Sequence, residues 1–367
     1  MNGLLICPPL KWQKGKNIGD YIQSLAQEQY WDKIDCYVYR DWMKSFKSDE
    51  KVNLIMNGWF MWDTEEFPPS ESINPFFISF HLTPKAAKKI LNRPEAIDYL
   101  KKYAPIGCRD KDTQKLLRGK GIDAYFSGCL TTTLGLNYHQ LPKTDSVLFI
   151  EPFNPLSIKK LIPFLVRSVK SLYYYFENRE KVIKLSKKAV FEKKTPIGWV
   201  APRLAQLLNT AMFYHEYSKL FSDELLMNAT YISQIIPIKG ISEEEKLSMA
   251  KDYLSRYARA PMVITSRLHA AFPSMAIGTQ TLYINADVFF DDSYRPAGRL
   301  EGNLELLNYY TWTKHGFVPN PDNQLIMNGD KINMNTIIKT PQKFIDVSNE
   351  LINRTKRFVR ECYENKN

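Results

Sequence analysis

Cysteine is scarce in this chain, and long apolar runs are absent. The 367 residues include five cysteines, and their odd, scattered set without a CxxC pair indicates neither a disulfide framework nor a zinc site. No apolar run reaches the roughly 18 to 20 residues that a membrane-spanning helix needs. The apolar patch at residues 3–7 has no basic region before it, so we interpret it as a first strand, not a signal peptide. We therefore expect a protein of the reducing cytoplasm.

Signatures of nucleic-acid binding are also missing. We find no zinc finger, no RNA-recognition motif and no interleaving of basic and aromatic residues, so nucleic acid is not an expected partner despite a net charge of +11. Residues 155–194 hold eleven Lys/Arg against three Glu, so this one segment contributes 11 − 3 = +8. Such a surface suits phosphates, anionic lipid headgroups or an acidic partner.

Strand-length apolar segments alternate with helix-length segments up to residue 143, and the alternation resumes from residue 144. This pattern favours parallel sheets with helices on both faces. We expect an α/β fold with a first lobe at residues 1–143 and a second lobe at residues 144–340. A mainly helical insertion, residues 153–228, interrupts the second lobe, and an amphipathic helix at residues 341–367 ends the chain.

Local signals mark several helix ends. Pro84 stands just inside one predicted helix, and Asp110 is a good N-cap for another that stops at Gly121. Ser242, followed three residues later by Glu245, is a capping-box pattern.

The segment "PMVITSRLHAAFPSMAIGTQTLYI", residues 261–284, places two buried-strand patterns around a helix. Ser266 is a plausible N-cap, which puts Arg267 and His269 in the first helical turn. Helix N-termini at the carboxyl ends of parallel strands bind anions. An arginine holds phosphate or carboxylate through paired hydrogen bonds, and a histidine transfers protons near neutral pH. We expect an anion site with acid–base capacity here.

Structural explanations for these residues stay open. Arg267 could be an ion-pair partner within the protein, and a single histidine at a helix start is more often structural than catalytic. In the first lobe, Arg109 ends another predicted strand and would face the same cleft, while His81 stands at a strand end.

The loop "KNIGD", residues 16–20, leads into the first helix. Its glycine allows a ligand to approach closely.

Four segments of the chain resemble the polysaccharide pyruvyl transferases. They are "NIGDYIQSLA", "IGCRDKDTQKLLRGKGIDAYFSGC", "VITSRLHAAFPSMAIGTQTLYI" preceded by "YLSRYARAP", and "GRLEGNLELL". They follow the family's order from about residue 17 to residue 307.

The resemblance implies two Rossmann-like lobes arranged as in GT-B glycosyltransferases, with a cleft between them. It implies phosphoenolpyruvate as donor, a saccharide with two suitably placed hydroxyls as acceptor, and a cyclic pyruvate ketal on a surface or capsular polysaccharide as product. Neither a metal nor a cofactor is expected. The donor site implied by position comprises Arg109, Ser266, Arg267, Leu268 and His269, of which Arg109, Arg267 and His269 would be catalytic. The acceptor side would comprise Asn17, Gly19, Asp20 and His81.

Two alternative functions stay open. A glycosyltransferase with a nucleotide-sugar donor fits the same frame, but it commonly holds the ribose with a carboxylate, and none occurs from Arg267 to Ala286. A non-catalytic carbohydrate-binding protein would use aromatic faces such as Trp59 and Trp62.

The basic insertion also carries an apolar stripe at helical spacing. Its members are Ile158, Leu161, Ile162, Leu165, Val169, Leu172, Tyr173 and Phe176. A basic amphipathic segment at residues 156–194 could contact an anionic membrane from the cytoplasmic side, which would suit a lipid-linked acceptor. Alternatively, it is an ordinary helix that packs on the second lobe with a solvated basic face.

Overall fold

Two six-stranded sheets, one in each half of the chain, form the frame of the protein in the computed structural model. The structure describes residues 1–7, 15–154, 156, 161–189, 202–237, 240–286, 297–313 and 315–364. The predicted two-lobe Rossmann-like α/β fold, with its helical insertion and C-terminal helix, is confirmed. The exact lobe boundaries at residues 143 and 340 stay predictions.

The first half of the chain alternates strands and helices. Its elements are β1 (Asn2–Ile6), β2 (Gly15–Asn17), α1 (Ile18–Glu28), β3 (Cys36–Tyr39), β4 (Val52–Phe60), β5 (Ile73–Leu82), α2 (Pro84–Ile90), α3 (Pro94–Lys102), β6 (Ile106–Cys108), α4 (Lys111–Arg118) and β7 (Ala124–Phe126). The predicted helix start at Pro84 and the predicted N-cap Asp110 are confirmed: α2 begins at Pro84, with Thr83 as its N-cap, and Asp110 caps α4.

The second half repeats this design around the insertion. Its elements are β8 (Leu148–Ile150), α5 (Leu161–Glu177), α6 (Arg179–Ser186), α7 (Pro202–Tyr217), α8 (Asp223–Asn228), β9 (Thr230–Ile232), β10 (Ile235–Pro237), α9 (Glu243–Arg259), β11 (Met262–Thr265), α10 (Leu268–Ala276), β12 (Gln280–Asn285), β13 (Tyr309–Thr313), β14 (Gly316–Pro319), β15 (Leu325–Ile326), β16 (Ile337–Ile338) and α11 (Gln342–Glu364). The predicted capping box of Ser242 and Glu245 starts α9.

Strand order places a ligand crevice in each lobe. The first sheet runs β3-β1-β4-β5-β6-β7, all parallel. The second runs β14-β13-β12-β11-β8-β9, parallel except for the β13–β14 pair. The order reverses between β1 and β4 in one sheet and between β8 and β11 in the other. Open α/β sheets bind ligands at such switch points, outside the carboxyl ends of the strands.

The lobes are joined by backbone pairing and by a shared core. β2 of the first lobe pairs antiparallel with β10 of the second, and the Ile18 amide donates to the Gln234 carbonyl at 2.8 Å. One apolar cluster buries Ile22 of α1 together with Leu254 of α9. α11 returns to the first lobe, where Phe358 stacks on Phe76 with ring centroids 4.7 Å apart. The strand pairing and the buried apolar contacts between the lobes fix how the two switch points face each other.

No helix in the described part of the chain combines the length and the apolar character that crossing a membrane requires.

Candidate active site

Residues from both switch points line one cleft between the lobes, with a volume of about 740 Å³. Asp20 and Trp59 come from the first-lobe switch point, and Arg267 and His269 come from the second. The described Lys, Arg, Asp and Glu side chains on the wall of the cleft are Lys85, Lys89, Arg109 and Arg267 against Asp20. This excess of positive charge favours an anionic ligand.

The turn from β11 into α10 corrects one prediction. Ser266 is not the N-cap, because α10 begins at Leu268 and its N-cap position is Arg267, without a side-chain cap hydrogen bond. The Ser266 hydroxyl instead donates to the Glu151 carbonyl oxygen at 2.7 Å. Thr265 Oγ1 accepts from the Arg267 amide at 3.0 Å. The two hydroxyls therefore shape the turn and set Arg267 in extended backbone at the mouth of the cleft.

Arg267 forms an ion pair within the protein as well as lining the cleft. Its Nε lies 2.5 Å from Glu151 Oε2, and the two side chains are 20% and 9% exposed. The Ser233 hydroxyl donates to the other Glu151 oxygen. A guanidinium has five N–H donors, so the bond to Glu151 uses one of them. Arg267 is therefore an ion-pair partner within the protein, and the ion pair fixes the orientation of its side chain at the cleft.

Glu151 was not predicted from the sequence. It follows β8, directly beside β11 at the second switch point, and its backbone has φ of +40°. A non-glycine residue in this region is strained, and such strain concentrates at functional sites. Its place after a buried strand is the signal that could have identified it.

His269 contacts the first lobe through Gln23 of α1. Gln23 Nε2 lies 3.4 Å from His269 Nδ1, and Arg109 Nη1 donates to Gln23 Oε1 at 3.4 Å. Gln23 is 5% exposed and Arg109 7% exposed. A Cβ on Gly19 would lie 2.8 Å from His269 Cβ, so only glycine permits this close packing. The predicted residues Arg109 and His269 therefore meet, through a glutamine that the sequence did not reveal.

Arg109 also keeps an unsatisfied donor. Its Nε is buried and has no hydrogen-bond partner among the described residues. Unsatisfied buried donors are rare and call for a ligand or a water molecule.

The turn from β6 into α4 is closed by its own side chains. Asp110 Oδ1 accepts from the Thr113 amide at 2.8 Å, and Asp110 Oδ2 lies 2.6 Å from His81 Nδ1. Burial alone raises the pKa of the Asp110 carboxyl, but the His81 and Arg109 side chains outweigh burial and lower the pKa. His81 lines the cleft, so its ring is both an ion-pair partner and part of the wall.

The four residues predicted for the acceptor side have different surroundings in the structure. Asn17 caps α1 by accepting from the Gly19 amide at 2.9 Å. Asp20 Oδ1 lies 3.4 Å from Trp59 Nε1. Asn17, Asp20 and His81 line the cleft, whereas Gly19 packs beneath His269.

The site is thus a cleft between two α/β lobes with Arg109, Arg267 and His269 on its wall, and its positive charge suits an anionic ligand. The family model for polysaccharide pyruvyl transferase matches residues 17–287, more than half of the chain. The chain belongs to this family, whose activity is pyruvyl transfer to polysaccharide. No curated protein matches the chain.

Proposed function

We propose that the protein transfers the pyruvyl group of phosphoenolpyruvate to two hydroxyls of one saccharide, forming a cyclic ketal and releasing phosphate. The observation that carries this proposal is the convergence of Arg109, Arg267 and His269 on one cleft from two lobes. Two guanidinium groups suit a donor with both a phosphate and a carboxylate.

His269 is the proposed acid. It protonates the methylene carbon of the donor, which gives the adjacent carbon positive character, and the first hydroxyl adds there and loses its proton. The second hydroxyl then displaces phosphate at the same carbon. Of the two hydroxyl protons, one replaces the proton that His269 gave to the methylene carbon, and the other leaves with the phosphate. Positioned acid catalysis contributes about 10²- to 10⁴-fold in rate.

The proton on His269 depends on its neighbour Gln23. In this arrangement an amide N–H₂ faces Nδ1, which suits a neutral ring. A bound phosphate favours the charged ring. Rotation of the Gln23 amide by 180° would then present its oxygen to Nδ1 while releasing the bonds to Arg109 and to the Gly19 carbonyl oxygen. Donor binding and histidine protonation are coupled in this proposal.

The acceptor is proposed to lie on the first-lobe side of the cleft, against Asn17, Asp20 and His81. Asp20 would orient an acceptor hydroxyl, because its carboxylate is an acceptor of hydrogen bonds. Gly19 supports this side by allowing α1 to approach His269.

The direct test is a coupled product assay. The protein is incubated with phosphoenolpyruvate and a panel of glycans, and released phosphate is measured beside the mass of the glycan. We expect phosphate release that requires both substrates, together with a glycan that gains an acid-labile pyruvyl group. Phosphate release without any change in the glycan would contradict ketal formation.

We further propose that α5 and its surroundings contact an anionic membrane, where a lipid-linked acceptor would reside. Val169, Tyr173 and Phe176 lie on one face of α5 and are 71%, 61% and 68% exposed. Leu165 and Leu172 extend this exposed face, whereas an ordinary helix packed on the second lobe would bury its apolar stripe. The remaining parts of the predicted segment lie outside the described residues: residues 157–160 with Ile158, the side chains of residues 161–164 with Leu161 and Ile162, and residues 190–194.

Charge complements this exposed apolar face. Lys170, Lys184, Lys187 and Lys188 are exposed nearby in the chain, within the segment that carries +8. Arg167, in contrast, is turned inward over the Trp312 ring at 4.9 Å. Apolar side chains flanked by lysines are typical of surfaces that lie on anionic lipid.

Vesicle flotation tests this contact. We expect the protein to float with vesicles containing phosphatidylglycerol and not with phosphatidylcholine alone, and the V169E/F176E variant to lose flotation. The matched control is V318E/I326E, since Val318 and Ile326 are exposed apolar residues elsewhere. Equal flotation of the two variants would contradict the proposal, and so would a dimer in solution that only V169E/F176E abolishes.

A further inference from the structure

Two tryptophans form an aromatic corner on the first-lobe wall of the cleft. Trp59 is the register partner of His81 on the neighbouring strand, and its ring meets that of Trp62 at 86° with centroids 4.9 Å apart. Both line the cleft, yet Trp62 is 52% exposed. A large aromatic face presented to a cleft marks a binding surface more often than a packing residue.

A buried ion pair holds this corner in place. The Arg40 guanidinium lies 3.8 Å from the centre of the Trp59 ring. Arg40 Nε lies 3.2 Å from Asp41 Oδ2, and both side chains are at most 4% exposed. Asp41 Oδ1 accepts from the Trp62 amide at 2.5 Å. Burying the charges of Arg40 and Asp41 costs free energy of desolvation. Such a cost is expected where the two indole rings must be held in place for a ligand.

Two lysines lie beside the corner on the same wall. Lys85 and Lys89 are one turn apart on α2, both are exposed, and both line the cleft. Within the described ranges, no acidic side chain forms an ion pair with either lysine. Since Asp20 is the acidic side chain on the described wall, the pair adds a second concentration of positive charge, apart from the arginines proposed for the donor.

We infer that this wall is an acceptor subsite for a saccharide that carries a phosphate or diphosphate group. Trp59 and Trp62 stack on the apolar face of a sugar ring, and Lys85 and Lys89 bind the anionic group. The inference rests on the proposed function, because it assigns the arginines and His269 to the donor. A cleft of about 740 Å³ is in the size range of drug-sized ligands, so a three-carbon donor fills only part of it.

The lysine pair is tested with inorganic diphosphate as the probe. Its dissociation constant is measured by calorimetry, with phosphoenolpyruvate present at saturation, for wild type, K85A/K89A and the matched control K88A. Lys88 is exposed on the same helix but does not line the cleft. We expect roughly tenfold weaker binding in K85A/K89A, from the loss of two exposed charge-assisted hydrogen bonds, and no change in K88A. Equal affinities in K85A/K89A and K88A would overturn the lysine assignment.

The donor measurement separates this inference from the proposed function. Phosphoenolpyruvate should bind K85A/K89A as tightly as wild type. If phosphoenolpyruvate binds neither wild type nor K85A/K89A, the proposed function fails. The diphosphate titration is then repeated without phosphoenolpyruvate, and it tests the lysine pair alone.

Two further probes distinguish the carrier of the phosphate. Uridine diphosphate represents a nucleotide-linked saccharide, and farnesyl diphosphate represents a lipid-linked one. The probe that binds wild type more tightly than the other probe does identifies the carrier, provided that its affinity falls to that of the other probe in K85A/K89A. If both probes bind K85A/K89A and wild type equally, the subsite is contradicted.

The aromatic corner is tested with a panel of sugar 1-phosphates, whose binding is followed by calorimetry. Trp62→Ala should weaken the best-binding member about three- to tenfold, as expected for the loss of one stacking contact. Trp42→Ala is the matched control, because Trp42 is 44% exposed and lies outside the cleft. A panel without any binder, or equal binding by the two variants, would overturn the aromatic assignment.

Discussion

The two turns that carry the cations of the site differ in how their helix N-termini are satisfied. At the first-lobe turn, Asp110 caps α4 and pairs with His81, and both are almost fully buried. At the second-lobe turn, α10 starts without a side-chain cap, and Arg267 stands at the cap position. A capped N-terminus is a stability device, whereas an uncapped one beside a cation suits an anionic ligand.

The difference indicates a division of labour between the lobes. The first-lobe turn is closed by the Asp110 cap and its pairing with His81, and it presents Arg109 from a buried position. The second-lobe turn presents Arg267, which is restrained by Glu151, and His269, which contacts Gln23 of the other lobe. Chemistry is therefore expected to depend on the second turn, and stability on the first.

The largest expected effect is on turnover, at the second-lobe turn. His269→Asn removes the proposed acid while keeping a polar side chain of similar reach, so turnover should fall by about 10²- to 10⁴-fold. The dissociation constant for phosphoenolpyruvate should change by less than about threefold, since catalysis and not binding is removed. Steady-state kinetics and calorimetry measure the two quantities, and wild-type turnover in this variant would remove His269 from the mechanism.

The next effect is on stability, at the first-lobe turn. Asp110→Ala should lower the free energy of unfolding by about 2 to 5 kcal/mol, because it removes an N-cap worth about 0.5–2 kcal/mol and a charge-assisted hydrogen bond worth about 1.5–3 kcal/mol. Asp123→Ala, at an exposed position, is the control and should stay within about 0.5 kcal/mol of wild type. Urea denaturation decides, and equal stability of the two variants would contradict the division of labour.

The difference in stability between wild type and Asp110→Ala should also depend on pH. The pKa of Asp110 is lowered in the folded protein by His81 and Arg109, against the opposing effect of burial. A lowered pKa contributes stability that is present above the unfolded value, about 3.9 for Asp, and that is lost as the pH falls through the lowered native value. The stability gap between wild type and Asp110→Ala should thus be complete at about pH 6 and narrow below about pH 4. A gap that stays constant down to about pH 3 would contradict this.

The smallest effect concerns the contact between α1 and the second-lobe turn. Gly19→Ala places a Cβ 2.8 Å from His269 Cβ, so the ring or α1 must shift by a fraction of an ångström. Small misplacements of catalytic groups lower rates steeply, and we expect turnover to fall on the order of tenfold with little change in stability. Gly119→Ala, where the nearest atom is a backbone oxygen at 3.3 Å, should leave turnover unchanged. Equal turnover of the two variants would show that His269 does not depend on this packing.

Local signals were enough to predict much of the fold. The caps at Asp110 and Ser242 and the strands around residues 261–284 follow from spacing along the chain, because capping and burial of short apolar segments are decided by neighbours in sequence. The pairing of β2 with β10 was not predicted, because it joins residues far apart in the chain, such as Asn17 and Ile235. Long-range pairing of this kind leaves no periodic signal.

The same limit applies to the site. Arg109, Arg267 and His269 were predicted because strand ends next to helix starts are visible in the sequence. Ser266 was misassigned as a cap because its partner, the Glu151 carbonyl, is 115 residues away. Gln23 lies inside a helix and is 246 residues from His269, so only the folded chain reveals it as the link between the two lobes.

The central claim is that Arg267 binds phosphoenolpyruvate at the second-lobe switch point, beside the proposed acid His269. Calorimetric titration of wild type and Arg267→Ala with phosphoenolpyruvate, and with a nucleotide-sugar for comparison, tests it most directly. We predict that wild type binds phosphoenolpyruvate at least about tenfold more tightly than Arg267→Ala does, as the loss of a charge-assisted hydrogen bond implies, and that the two proteins bind the nucleotide-sugar with equal affinity. Equal affinity of the two proteins for phosphoenolpyruvate, or a nucleotide-sugar affinity that falls in Arg267→Ala, would contradict the claim.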